Sequence, residues 1–546
     1  MEKSPSNLWR WAPLGLVLAS LFIGFSVWEP LPPGIWHDDG VYVLLGRSLA
    51  EGEGLRYVGV PGAPLAPKFP PLLPALLGLI WLLFPSFPEN TSVLTSLNLV
   101  LTALAGGVFF HYLRRVLNLS PFLALLATSL GWVSAHLWRV ALIPLSEPLF
   151  LLLTLLALYA GGRMESKAKP EGKGETGALV LFLLLGGLAV YARTLGVAVL
   201  AAGVVSCVLG GRRKAAFWVA LGSLTLLMPW VLWSGRAAGT IPEPLLDILG
   251  PYGTWLVSQM VADPWGFSGF AVSNLGHLLA RIVTLTLPGV PGPQLLYGIL
   301  LAPLFLVGMW DLSKRSRILP LTLLFSLGIL LVWPFGDIRL LVPFQPLLFL
   351  ALVMGVRSIL SGYGRVPRVR GPILAMASVW CLFFLAISAF RLTAGWTLES
   401  YRIRAAALMD AVRAVNEKTP PDAVVGAPEL WAGIHLFTGR LVVPSAPFRP
   451  LAEDSPVYGR PEQQYEIWIR TGATHILVEH GGNVHGAAMD RIEAECRPGT
   501  LRVVDSQPGR VLVALGWDEA CQRRLMQPSA RQVLPDSGAG PPPSGD

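Results

Sequence analysis

Residues 92–115, SVLTSLNLVLTALAGGVFFHYLRR, run from Ser92 to Leu113 without an acidic, lysine or arginine side chain and then close on Arg114 and Arg115. An uninterrupted stretch of this kind matches the hydrocarbon thickness of a bilayer, which takes about 20 residues per helix. The basic pair at its end marks a cytoplasmic boundary. Similar runs recur along the 546 residues, of which 53% are hydrophobic and 14% charged, with a mean hydropathy of +0.56. So few charges exclude a soluble globular chain. The fold expected is a polytopic α-helical membrane protein with a small C-terminal α/β soluble domain.

Six basic clusters set the threading: Lys3/Arg10, Arg114/Arg115, Arg163 with Lys167, Lys169 and Lys173, Arg212/Arg213/Lys214, Lys314/Arg315/Arg317, and Arg357 with Arg365, Arg368 and Arg370. If all face the cytoplasm, the chain crosses about eleven times, near 12–29, 92–113, 120–138, 147–162, 177–192, 195–211, 216–234, 294–310, 318–335, 340–357 and 372–391. The net charge of +8 is gathered in these clusters, so it reads as membrane retention and not as a nucleic-acid surface. Lys3 and Arg10 before Trp11 to Trp28 resemble the start of a signal peptide, but no small-residue cleavage pattern follows. The segment is therefore expected to remain as the first helix. An odd number of crossings from a cytoplasmic N-terminus in the plasma (inner) membrane leaves the C-terminal domain extracytoplasmic.

The domains expected are a membrane unit over 1–395, an α/β domain over 396–526 and a disordered tail over 527–546 rich in Pro, Gly and Ser. Within the first outer loop, 30–91, the run Pro70 to Phe84 is short and bracketed by prolines, so it is read as an interfacial or re-entrant helix. Val41, Leu44, Leu45 and Leu49 share a helical face opposite Arg47 and Ser48, which predicts a second short helix lying on the membrane. In the α/β domain, helices are expected over 408–415, 463–470 and 487–494 and strands over 423–426 and 475–478. A hairpin joins 501–504 to 511–515 across Gln507-Pro508-Gly509. Of four cysteines, Cys207 and Cys381 lie in apolar runs, while Cys496 and Cys521 share the domain placed outside, where disulfides persist. They are expected to pair, the alternative being two buried thiols.

The chemistry-bearing residues collect at membrane ends that the threading places outside. The first outer loop opens with Trp36-His37-Asp38-Asp39-Gly40-Val41-Tyr42. Lys68 precedes Pro70-Pro71, Glu147 lies in Ser146-Glu147-Pro148, Arg193 follows Tyr191-Ala192, and Asp337 stands beside Arg339. Each alone reads as a helix cap or a snorkelling anchor. Together they point to one polar cavity, because charges at such depth are costly unless paired or solvated. Carboxylates beside cations next to lipid suit group transfer from a lipid-linked phosphate. A carboxylate can take the proton of an attacking hydroxyl, and Lys or Arg can stabilise the charge growing on the departing phosphate. Gly186-Gly187, Gly203, Gly210 and Gly211 are read as close helix packing, and the tryptophans near predicted interfaces as belt residues.

Asp38-Asp39-x-x-Tyr42, Lys68-Phe69-Pro70-Pro71-Leu72, an acidic residue heading the fourth span, and Arg339-x-x-x-Pro343-x-x-Pro346 resemble the protein mannosyltransferase and lipid A aminoarabinose transferase superfamily. The resemblance implies the glycosyltransferase C fold and a polyprenyl-phosphate-linked sugar donor, with a lipid, glycan or protein as acceptor. It implies Asp38 as general base, with Asp39 positioning the acceptor or helping to hold a divalent metal. Lys68, Arg193 and Arg339 are implied for the donor phosphate, Glu147 and Tyr42 for the acceptor side. The chain departs from the family pattern at Asp39, where Glu is usual, at Phe69, which separates Lys68 from Pro-Pro-Leu, and at Leu340, which replaces an aromatic.

Two other readings compete. A transporter or flippase of lipid-linked molecules would also need charges near lipid, but it predicts internal repeats and broken midplane helices, and the two halves show no convincing repeat. An inactive scaffold would place the function in 396–526, where no catalytic constellation is visible. The threading itself is tested with single cysteines in a background lacking Cys496 and Cys521. Pro170→Cys should resist a membrane-impermeant maleimide in intact cells and Ser455→Cys should react; the opposite pattern overturns the orientation.

Overall fold

The computed structural model describes residues 8–165, 173–333, 336–363, 367–427, 430–445, 461–479 and 483–527. The expected tail beyond Gln527 and the basic residues Lys167 and Lys169 lie outside them. Every one of the eleven expected segments contains a helix. The first is α1 (Leu8–Ser26), followed in the outer loop by α2 (His37–Ala50) and α3 (Leu72–Leu83). Next come α4 (Thr91–Arg115), α5 (Pro121–Trp132) and α6 (Ala135–Ala141), α7 (Glu147–Glu165), α8 (Lys173–Ala192), α9 (Val197–Leu209) and α10 (Arg213–Ala238). After α11 (Leu246–Leu249), α12 (Tyr252–Ala262) and α13 (Pro264–Thr286), the bundle resumes with α14 (Gln294–Ser313), α15 (Ile318–Leu331), α16 (Gln345–Tyr363) and α17 (Pro367–Thr393).

Among the described residues seven helices are long and apolar enough to cross a bilayer, or eight with the α5–α6 pair, which bends by 58°. Helices α8, α9 and α15 are apolar but shorter. Ser120 starts α5 by accepting from the Leu123 amide at 3.3 Å, with Pro121 at the first helical position. The outer faces carry exposed Phe122, Phe217, Trp310 and Leu382, while the side chains of α7 are mostly buried. This inside-out exposure is what a lipid solvent requires. Gly203 earns its place by packing: a Cβ there would lie 2.4 Å from the Phe182 ring.

The two ends of the bundle differ in charge. At the basic end, Arg315 donates to the Leu117 carbonyl at 2.9 Å. The Glu165 carboxylate accepts there from Ser206, from Ser316 Oγ at 2.7 Å, and from the Arg317 and Ile318 amides at 3.1 and 3.2 Å. A carboxylate set on the amides that open α15 complements the helix dipole and ties α7, α9 and α15 together.

At the opposite end sits the C-terminal domain. After α17 the chain turns at Gly395, in the left-handed region at φ 74°, into α18 (Trp396–Lys418). Then follow β1 (Val424–Ala427), α19 (Trp431–Thr438), β2 (Leu441–Pro444), α20 (Pro461–Thr471), β3 (His475–Glu479), α21 (Asn483–Glu495), β4 (Leu501–Gln507), β5 (Arg510–Leu515) and α22 (Glu519–Met526). The sheet order is β2-β1-β3-β5-β4. Strand β1 is parallel to β2 and β3, and β5 is antiparallel to β3 and β4. Sequence patterning missed α19, β2 and α22, all short, and left 235–293 without the helices α11 to α13.

The position of α2 differs from the expectation of a helix lying on the membrane. Ser48, read as polar and outward, is fully buried and donates to the Gly54 carbonyl at 2.7 Å. Both α3 and α19 pack against α2, which leaves Asp39 to Gly46 and Ser48 buried. At Gly34, with φ 98°, an added Cβ would come within 2.3 Å of the Gly433 Cα, so only glycine permits this approach.

Cys496, after α21, is bridged to Cys521 in α22 with the two Cα atoms 5.1 Å apart. The bridge closes a loop with a sequence separation of 25; by chain entropy it contributes about 3 kcal/mol. An unreduced, alkylated digest should yield the linked peptide, and Cys521→Ser should speed proteolysis of the C-terminal domain. Recovery of both cysteines separately alkylated would show that the bridge does not form.

Candidate active site

The first turn of α2 separates two adjacent carboxylates. Asp39 is fully buried, and its oxygens accept from the Gly34 and Trp36 amides, each at 2.8 Å. It thereby closes the loop that leads into α2, satisfying amides that no helix bond reaches. Burial pushes its carboxyl up to about 7 against the effect of these hydrogen bonds. Asp38, one position earlier and about 100° round the helix, turns to the bundle instead and pairs with Arg339. Burial opposes its ionisation, but Arg339, His37 and Lys68 outweigh this and hold its carboxyl down at about 2.

Arg339 lies in the tight turn Ile338–Phe344 that heads α16. Asp337 starts this turn by accepting from the Arg339 amide at 2.9 Å and also lies 2.9 Å from its Nε. Glu147, at the head of α7 and 1% exposed, stands 3.9 Å from Arg339 Nε and 2.7 Å from Arg193 Nη1. Ser146 joins the network, accepting from the Tyr42 hydroxyl at 2.9 Å and from Arg193 at 3.0 Å. Glu147 and Arg339 keep hydrogen-bonding capacity within this buried cluster: both Glu147 oxygens and Arg339 Nε and Nη1 make ionic contacts or none, without a hydrogen bond. Such capacity suits a polar ligand.

Lys68 is buried on the rim. Its ammonium donates to the Ile248 carbonyl at 2.8 Å and sits 4.4 Å from the Tyr252 ring centroid, while Tyr57 donates to the Leu249 carbonyl at 3.3 Å. These carbonyls close α11, where helix ends lack internal partners. Burial lowers the Lys68 ammonium to about 8, and the Asp38 charge works against that.

Asp38, Tyr42, Glu147, Arg193 and Arg339 thus form one network from four separate parts of the chain, with Lys68 at its edge. Asp39 faces the loop. Glu147, expected on the acceptor side, stands between the two arginines expected at the donor phosphate. Sequence reading passed over Ser146, although it lies in the quoted Ser146-Glu147-Pro148. It also passed over Tyr57 and Tyr252, which carry no local signal. For a divalent metal the donor set does not fit. Asp38 and Asp39 turn to different partners, and among the described residues no three His, Cys, Asp or Glu side chains are placed to share one metal ion.

Two solved structures share this architecture. ArnT from Cupriavidus metallidurans, bound to undecaprenyl phosphate, superposes with a TM-score of 0.51 at 14% identity, over 93% of this chain and 98% of that one. The archaeal oligosaccharyltransferase AglB from Archaeoglobus fulgidus, in complex with an inhibitory peptide and a dolichol-phosphate, does so with a TM-score of 0.53 at 14% identity, over 87% of this chain and 70% of that one. The chain has the glycosyltransferase C fold. No protein-family model matches the sequence, and no curated protein is similar to it. Within the glycosyltransferase C fold, the charged network described above occupies the end of the bundle that carries the C-terminal domain.

The division of labour between the two aspartates has a direct consequence. Asp39→Asn keeps one acceptor for two amides and should lower stability by about 1–3 kcal/mol, read as a lower unfolding temperature, while kcat of the folded fraction stays near wild type. A loss of turnover at unchanged stability would place Asp39 in the chemistry instead.

Proposed function

We propose that the chain is a membrane glycosyltransferase that moves a sugar from a polyprenyl-phosphate donor to a lipid, glycan or protein acceptor on the extracytoplasmic face, with inversion at the anomeric carbon. The observation that carries this reading is the partly buried contact between Asp38 and Arg339, with Glu147, Arg193 and Lys68 around it, at one end of a glycosyltransferase C bundle. ArnT and AglB, the structures of similar fold, hold undecaprenyl phosphate and a dolichol-phosphate, which supports a lipid-linked phosphate as the ligand of this end.

In the reaction, an acceptor hydroxyl attacks the anomeric carbon. Its oxygen forms the new glycosidic bond as the bond from that carbon to the phosphate oxygen breaks. Asp38 takes the hydroxyl proton. Polyprenyl phosphate leaves with the electron pair, its added charge stabilised by Arg339, Arg193 and Lys68. Glu147 positions both arginines, since a carboxylate between two guanidiniums limits where either can turn. No step passes through a metal.

A carboxylate held near 2 by Arg339 is a weak base. The donor phosphate competes for the same guanidinium, so donor binding loosens the pair and makes Asp38 more basic where the acceptor arrives. Asp38→Asn should cut transfer by about 10²–10⁴-fold yet bind polyprenyl phosphate at least as tightly as the wild type, because the rival anion for Arg339 is gone. Radiolabelled sugar transfer and equilibrium binding to purified protein would read the two effects. Wild-type transfer by the variant would remove Asp38 as base, and weakened binding would remove the competition.

A further inference from the structure

A second cationic cluster lies beside this site and takes no part in the reaction above. Arg139, on α6, donates to Ser400 Oγ at 2.7 Å and lies 5.3 Å from the Trp396 ring and 5.4 Å from the Tyr401 ring. Arg391, in the last turn of α17, lies 4.7 Å from the same Trp396 ring and donates from Nη1 to His136 Nε2 at 3.3 Å. His136 is 8% exposed and meets Trp396 edge to face, with centroids 5.0 Å apart. Two guanidiniums and an imidazole therefore converge on one indole. No acidic side chain within 4.0 Å pairs with either arginine among the described residues.

The surroundings indicate which anion would complete the cluster. Met376, Val379, Leu382 and Phe390 make an exposed apolar face along α17 that ends beside Arg391. An apolar stripe closing on Arg and Trp has the chemistry of the membrane–water boundary, with acyl chains beside the stripe and headgroups at its end. Guanidiniums match phosphate oxygens through paired N–H donors. We propose that Arg139 and Arg391, gathered around Trp396 with His136 orienting Arg391, bind the phosphate of a membrane lipid headgroup. The site abuts the candidate active site through α18. Tyr401 donates to the Arg139 carbonyl at 3.1 Å and packs edge to face on Trp36, whose amide holds Asp39. A bound lipid thus braces the α6–α17–α18 junction against the loop that carries the two aspartates.

The test is native mass spectrometry of the full chain in detergent, titrated with phosphatidylglycerol. The Arg139→Gln/Arg391→Gln variant should bind the first lipid about tenfold more weakly, a change of one decade in Kd. Arg402→Gln, an exposed change on α18, should leave binding unchanged, and millimolar inorganic phosphate should not displace the lipid. Equal affinity in the folded double variant would overturn the proposal, and full displacement by inorganic phosphate would make this a free-anion site. Should the double variant not fold, a photoreactive phosphatidylglycerol on the wild-type chain decides. Cross-links in 135–141 or 387–404 support the site, and cross-links confined elsewhere overturn it. Neither readout depends on glycosyl transfer.

Discussion

The structure hinges on keeping opposite charges together where water is scarce. Asp38 at the start of α2 meets Arg339 at the head of α16, and Arg339 in turn faces Asp337 and Glu147, which pairs with Arg193 at the end of α8. Removing both arginines would strand Glu147, 1% exposed, as an unpaired buried charge, which costs more than the pairs contribute. The network therefore fixes where four chain segments end relative to one another. Pairing also lets two arginines and three carboxylates lie close together beside lipid.

The C-terminal domain is part of this arrangement. Its α19 lies against α2 through the Gly34–Gly433 approach, and Val442 donates to the Gly59 carbonyl at 2.7 Å. Trp431, fully buried, faces the rings of His37 and Tyr57. The loop bearing the aspartates is thus clamped between membrane helices and a soluble domain, and its polar backbone is satisfied from both sides. A support of this kind suits the proposed transfer, in which a base and phosphate ligands would hold position while charge moves between them. At the far end of the bundle, Glu165 performs the simpler task of joining helix termini, and among the described residues no comparable network of alternating charges forms there.

Much of this was legible beforehand. Uncharged runs ending in basic pairs locate the membrane helices because the hydrocarbon thickness imposes their length and backbone hydrogen bonding imposes their form. The short motifs around Asp38, Lys68, Glu147 and Arg339 were visible because charged residues at helix ends are rare in such a composition. Strands β3, β4 and β5 follow from their apolar residues and the Pro508-Gly509 turn. Local patterning did not reveal α19 or β2, whose few residues carry too little periodicity, nor α11 to α13, whose polar and apolar residues alternate without a clean face.

What the sequence by itself determined is which long apolar runs form membrane helices, the residue types available for chemistry, and the sorting of basic clusters from the acidic motifs. What only the tertiary structure decided is which of two neighbouring aspartates faces the site. Both have the same side chain and stand next to each other in the chain, but successive helical positions point about 100° apart, so Asp38 finds Arg339 while Asp39 finds two loop amides. It also decided that Glu147 stands between two arginines, that α2 is buried beneath α19, and that Arg139 and Arg391 meet at one tryptophan. Each of these depends on contacts between residues distant in the chain, and such contacts exist only once packing has brought the helix ends together.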